Sequence, residues 1–442
     1  MAALFGLLLV GVLGVLQRPA AIPATSSAAI NTGDTAWMLT ATGLVMLMTP
    51  GLSFFYGGMV RGKNVISTML QSFIALAVVS IVWVVLGFSL IFGESVAGVI
   101  GSPATYFMLN GVGAAPHAEL SPTIPLALFA LFQLKFAVIT PALITGSFAE
   151  RVRFSAYVLF MVLFTVFIYA PIAHWTWHPN GFLRKWGVLD FAGGTVVHIS
   201  AGVAALVGAR VFGSRKDHGK SSAPHAPANI PFVILGTGML WFGWFGFNAG
   251  SALAANGTAV SAFLATNTAS ASAAIAWLCV DYLRGRRPSA MGACIGAVVG
   301  LVAITPAAGY VRVGASILIG ALAAMVSNWA VGLKSRSKLD DTLDVFPCHG
   351  VGGLVGMMLT AVFAEDGGLV TGKTKLFGYH ALAIVLVFAF VYVGSYVLYR
   401  LVDAVLPLRV SAEDEDKGLD LSQHGESMYE DRMPLHDERS PG

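Results

Sequence analysis

The chain has 442 residues, 56% of them hydrophobic and only 11% charged, with a formal net charge of +3. Soluble domains carry charge on about a quarter of their residues, so an ordinary water-soluble enzyme is excluded. The small net charge, with no basic stripe interleaved with aromatics, also excludes a nucleic-acid partner.

In chain order, the first apolar run (3–16) is too short to cross a bilayer and is followed by small residues and prolines up to Ala24. Residues 1–24 are expected to be a cleaved signal peptide, with a retained extra helix as the alternative. Beyond residue 35, apolar segments run at 36–60, 65–93, 122–148, 154–175, 191–212, 230–253, 258–282, 289–306, 312–332, 345–364 and 377–405. Each is near the length of a membrane span, about 20 residues. The expected fold is therefore an all-α integral membrane protein of eleven transmembrane helices, with a membrane domain at 35–406. Fifty glycines imply close helix packing. Cys279, Cys294 and Cys348 lack CxxC spacing and read as buried thiols.

Basic residues fall in alternate loops: Arg61 and Lys63, Arg151 and Arg153, Arg210 to Lys220, Arg284 to Arg287, and Lys334 to Lys338. Positive-inside bias puts the N-terminus outside and the tail, 407–442, inside. The tail is polar without hydrophobic period, so alone it would be a flexible appendage.

Of ten histidines, only His198 and His349 lie well inside apolar segments, the fifth and the tenth. Ionisable groups at membrane depth are costly and mark pathways or proton relays. Each is preceded by an aspartate, Asp190 and Asp344 respectively. The five-span spacing suggests two inverted five-helix halves, plus a final helix, with a site between them. A metal held by both pairs is disfavoured: Asp190 is eight residues from His198, about 12 Å along a helix. Asp190 and Asp344 are expected to cap their helices, Asp190 also helping a cation from a distance.

Three aromatic groups sit beside polar or glycine-rich breaks: Phe132-Gln-Leu-Lys-Phe136, His174-Trp-Thr-Trp177, and Trp241 to Ser251 with Phe247 between. Together they could form an outward aromatic cup with a hydroxyl, suited to a small cation through cation–π attraction. An interfacial aromatic belt would explain the same tryptophans.

From about residue 35 to 430 the chain resembles the ammonium transporter family, which includes methylammonium permeases and Rhesus proteins. The resemblance rests on TPGLSFFYGGMVRGKNV (49–65), ITPALITGSFAERVRF (139–154), AHWTW (173–177), LDFAGGTVVHISAG (189–202), WFGFNAGSALAAN (244–256), GAVVGLVAITPAAGYV (296–311), DVFPCHGVGGLVG (344–356) and GLDLSQHGESMY (418–429). It implies a homotrimer in the cell membrane with a pore in each subunit. The outer recruitment site would be Trp177, Phe136 and Ser251, with Phe132 contributing to the vestibule and Asp190 beneath. Phe136 and Phe247 would form the gate, and His198 and His349 the pore lining. Ammonium or ammonia would be the substrate, with methylammonium as analogue, and a PII-type signalling protein the partner at the cytoplasmic face. Neither cofactor nor metal is implied, and no catalytic residue. Two features depart from the pattern: Cys348 stands where a valine or small residue is expected, and Lys135 lies at membrane depth, where it should avoid the pore and snorkel outward or pair at a subunit contact.

The expected mechanism is recruitment of the ion, loss of its proton near the gate, and passage of ammonia along the histidines, with or without the proton. An ammonium sensor signalling through its tail is the alternative from the same fold. An intramembrane metalloenzyme is the rival from another class, and no HExxH-like pair supports it.

Overall fold

The computed structural model describes residues 2–17, 30–219 and 226–428. Residues 18–24 of the expected signal peptide, Lys220, and tail residues 429–442 lie outside them. Among the described residues ten helices are long and apolar enough to cross a membrane, and Ala290–Ile304 is a shorter apolar one. We number the helices in chain order. After α1 (Ala2–Leu16) come α2 (Thr32–Met59), α3 (Val65–Phe92), α4 (Leu126–Ser147), α5 (Phe154–Lys185), α6 (Gly194–Phe212) and α7 (Ile230–Ala252). Then follow α8 (Gly257–Leu283), α9 (Ala290–Ile304), α10 (Val313–Ser335), α11 (Phe346–Phe363) and α12 (Lys375–Val405). Among the described residues the only strands are two short antiparallel hairpins, both between α3 and α4.

Helices begin where the sequence offers a side-chain acceptor. Asn31, Asn229, Asn256 and Ser289 each take the N–H of the residue three further on, at 3.0 Å. Such caps satisfy donors that the first turn leaves open. The expected eighth span, 289–306, is the 15-residue α9, about 22 Å long at 1.5 Å per residue. It can be short because nearly all of its second half is buried among other helices rather than facing lipid.

Helix α2 packs against α7, the first helix of the second half, at glycine distance: a Cβ on Gly236 would stand 2.3 Å from the Phe55 nitrogen. Five spans per half make α7 run opposite to α2, so the halves are inverted. Large apolar side chains such as Phe73, Phe242, Val260, Tyr282 and Leu401 face outward. Such a belt is what a bilayer requires.

One end of the bundle, here the tail end, carries the charges. Glu150, fully buried, is held by Arg61 at 2.6 Å and Arg215 at 2.9 Å. Arg215 also pairs with Asp340 at 2.9 Å. Burial works to raise the Asp340 carboxyl, yet Arg215 and the Arg151 charge hold it well below the usual carboxylate range.

The tail residues up to 428 are folded onto this end. A helix α13 (Ala412–Lys417) directs its C-terminal carbonyls, Glu415 and Asp416, to the Lys63 ammonium at 2.9 and 2.6 Å. Asp420 in turn accepts the Ser67 N–H at 2.8 Å at the start of α3, whose own leading residue Asn64 makes no cap. Loop and tail thus cap one another's helices. The contacts use Lys63 and Lys216, whereas Lys334 turns away to Asp344 at 2.8 Å.

Candidate functional site

A cavity of about 190 Å³ opens at the end opposite the tail. Of the expected recruitment residues, Trp177, Phe136, Ser251 and Asp190 line it. Phe132 does not. It is buried behind Phe136, ring centroids 5.0 Å apart, and also packs toward Gly250. The face of α4 that reaches the cavity is Phe129, Gln133 and Phe136, a four-then-three spacing along one helical stripe. Gln133 was therefore legible from its spacing to Phe136, and its Oε1 is buried with no hydrogen-bond partner among the described residues. Glu119 and Tyr310 from distant loops, and Arg184 from the end of α5, also line the cavity, with no local sequence signal. Lys135 is not among the lining residues.

Ser251 donates to the Phe247 carbonyl at 2.8 Å, so its oxygen lone pairs are what it offers the cavity. Trp177 donates its indole N–H to the Asp190 carbonyl at 3.3 Å. The Asp190 carboxylate is fully engaged: Oδ1 accepts Gly193 and Gly194 N–H at 2.8 and 2.6 Å, and Oδ2 accepts the Thr195 N–H and hydroxyl at 2.7 and 2.5 Å. Four donors leave it no direct bond for a ligand. It caps α6 while lining the cavity.

From the cavity a column of rings runs inward. Trp177 meets Phe136 edge-on at 5.6 Å, and Phe136 stacks on Phe247 at 4.1 Å. Phe247 lies 6.2 Å from His198, and His198 5.5 Å from His349. The two imidazoles approach through Nδ1 atoms 3.4 Å apart. Trp244 stacks on His198 at 5.4 Å, its own N–H tied to Thr305. Helices α6 and α11 come close enough for this because they cross at glycines: a Cβ on Gly202 would lie 2.2 Å from the Gly350 nitrogen.

Each histidine sits in one wide turn with i→i+5 bonding, Gly194–Ile199 and Phe346–Val351. Such turns are rare and recur at functional sites. Beyond His349, toward the tail end, a second cavity is lined by Phe55, Tyr56, Met59, Leu343, Cys348 and His349, among others. Its free volume of about 10 Å³ is the lower edge of what one water needs.

His174 and His380 are also fully buried. Both are satisfied by backbone: His174 meets the Ile91 carbonyl at 2.6 Å and His380 the Met357 carbonyl at 2.8 Å. His198 differs, because its Nε2 is buried with no hydrogen-bond partner among the described residues. A neutral pair sharing one Nδ1 proton also leaves one Nε2 as acceptor and the other as donor. That suits a small neutral solute able to do both.

The cap of the tenth span corrects the sequence reading. Asp344 does not cap α11; Asp341 does, accepting Val345 N–H at 3.1 Å and Phe346 N–H at 2.7 Å. Asp344 occupies the turn itself, with φ +57°, and that conformation sends its carboxylate to Lys334 instead. No group of three or more His, Cys, Asp or Glu among the described residues is placed to hold a metal ion.

Comparison with known proteins matches residues 36–429 to the sequence profile of the Ammonium Transporter Family. The chain is 47% identical over 411 residues to an ammonium transporter of Bacillus subtilis, covering 91% of this chain and 99% of that protein. It is 46% identical to an ammonium transporter of Aquifex aeolicus, covering 91% and 95%. Among solved structures, Saccharomyces cerevisiae Mep2 matches with a TM-score of 0.81 at 34% identity, over 87% of this chain and 88% of that one. A structure titled Sensor Amt Protein matches with a TM-score of 0.81 at 30% identity, over 89% and 98%.

Proposed function

The chain belongs to the ammonium transporter family, and from that premise we propose that it recruits ammonium at the Trp177 cavity and conducts ammonia through the histidine column. The observation that carries this is the unbroken ring sequence Trp177, Phe136, Phe247, His198, His349, leading from one cavity to the other. An ammonium ion entering the apolar column would lose its water at heavy cost. Cation–π contacts return about 0.5–2 kcal/mol each, and lone pairs on Ser251 and Gln133 add hydrogen bonds at the cavity. These suffice to hold the ion at the mouth but not to carry it through. Deprotonation at the Phe136–Phe247 gate removes most of the cost. The histidines then hydrogen-bond ammonia in turn, and the proton either stays outside or crosses separately through the imidazole pair.

The cavity end is placed outside the cell membrane and the tail end inside, supported by the gathering of Arg61, Arg151, Arg215, Lys216 and Lys334 at the tail end. Residues 1–24 are assigned as a cleaved leader, 35–406 as the membrane domain and 407–442 as a regulatory tail. The assembly is a homotrimer, an assignment supported by an apolar groove between α2, α7 and α8, lined by Trp37, Phe245, Val260 and Phe263. The docked tail and its neighbouring basic loops form the platform for a PII-type protein. The likeness to a sensor protein favours a second reading, in which substrate binding mainly changes the tail's contacts. Ammonium-dependent current or methylammonium uptake in reconstituted vesicles tests transport. A folded protein giving neither would overturn it in favour of the sensor.

A further inference from the structure

The two halves of the chain treat their histidines alike. Asp190 stands eight residues before His198, and Asp341 eight residues before His349. Three residues after each aspartate the backbone turns left-handed, at Gly193 with φ +117° and at Asp344 with φ +57°. Each carboxylate then accepts N–H groups of the segment that opens the histidine's wide turn. The counterpart of Asp190 is therefore Asp341, at the opposite end of the same column.

The charge around Asp341 differs from that around its neighbours. Asp340 is paired with Arg215, and Asp344 with Lys334. Lys334 reaches only the backbone carbonyl of Asp341, at 2.9 Å. The Asp341 carboxylate accepts N–H groups and, unlike its two neighbours, makes no direct ion pair among the described residues. Its charge is offset by the partial positive charge of a helix start and, without contact, by the Lys334 ammonium. It is fully buried, and Leu343, two residues on, lines the tail-end cavity together with Tyr56, Cys348 and His349.

We propose that Asp341 is a positioning residue for the exit step: it fixes the turn that carries His349, and its charge stabilises ammonium re-forming at the inner mouth. The proposal rests on the transport reading above. Ammonia leaving His349 takes a proton from hydronium in the inner water, giving ammonium and water, and Asp341 neither gains nor loses a proton in that step. The same charge should attract ammonium entering from the inner side.

The test is the half-saturation for ammonium at each face, from currents in right-side-out and inside-out vesicles. Asp341→Asn keeps an accepting oxygen for the turn and removes the charge. It should raise the inner half-saturation by roughly fivefold, the scale of one charge lost at partly screened distance, and leave the outer value within about twofold. Asp341→Glu keeps the charge and should stay near wild type at the inner face, so it serves if the Asn variant does not fold. Equal changes at both faces would mean a merely structural role and overturn the proposal. No change at either face would also overturn it, while wild-type currents show that transport itself stands. A wild-type protein without ammonium current would overturn the transport reading and this proposal with it.

Discussion

Phe136 and Phe247 stack with ring centroids 4.1 Å apart, and this contact divides the outer cavity from His198. Phe136 belongs to both sides, since its ring also receives Trp177 edge-on at 5.6 Å. On the proposed mechanism the recruiting surface and the barrier are thus one packed unit, and a change in the first should be felt as weaker capture rather than a wider pore.

Trp177→Leu is accordingly expected to raise the half-saturation for ammonium or methylammonium by about twofold to thirtyfold, the range that one cation–π contact of about 0.5–2 kcal/mol spans. Maximum flux should fall much less. An unchanged half-saturation in an uptake assay would mean that the aromatic cup is only packing.

The four hydrogen bonds on Asp190 make its substitution a graded test. Asp190→Asn keeps one accepting oxygen, whereas Asp190→Ala leaves the first turn of α6 uncapped at a cost of about 0.5–2 kcal/mol or more. The Ala variant should give less folded protein on detergent chromatography than the Asn variant. Equal yields would assign the aspartate to charge alone.

Much of this was legible in the sequence, and the failures have physical causes. Apolar run length identified the spans, because a bilayer imposes that length on every helix that faces lipid. It overstated α9, which faces protein. His198 and His349 stood out because ionisable groups are so costly at depth. The cap of α11 was misread because three aspartates, Asp340, Asp341 and Asp344, crowd the loop, and only the left-handed turn at Asp344 decides which one reaches the helix start. Phe132 and Gln133 are adjacent in sequence but about 100° apart on the helix; Phe132 is taken up against Phe136 and Gly250, and Gln133 is the one that reaches the cavity. The tail looked unstructured because its order comes from long-range hydrogen bonds, with Asn64 accepting the Leu419 N–H, Lys63 donating to the Glu415 and Asp416 carbonyls and Ser67 N–H donating to Asp420, which no local period reveals.

Asp341 also sets a pH signature. Burial pushes its carboxyl up to about 6, opposed by Lys334 and reinforced by Asp344. A folded pKa above the unfolded value, about 3.9, means that the folded protein binds the extra proton between those values. Ionisation of Asp341 therefore works against the fold as pH rises through about 6. The midpoint of thermal unfolding of Asp341→Asn relative to wild type should improve between pH 4.5 and pH 7.5. A difference that is constant, or that worsens, would count against an ionised Asp341 whose burial outweighs the Lys334 charge.

Deletion of residues after about 410 should lower transport while leaving membrane insertion intact, because α3 loses the cap that Asp420 supplies at Ser67. Asp420→Ala should reproduce part of the loss. Full activity after deletion would make the docked tail a bystander.

The central claim is that the His198–His349 pair is the pathway and the reason that free cations are refused. The direct measurement is current in ammonium against current in potassium for His198→Asp and His349→Glu, each in reconstituted membranes. A carboxylate at either position offers a cation the charge that the imidazoles withhold. Each variant should therefore pass potassium where the wild type does not, while remaining folded. If both variants keep wild-type ammonium currents and still exclude potassium, the ring column is not the route and the account fails.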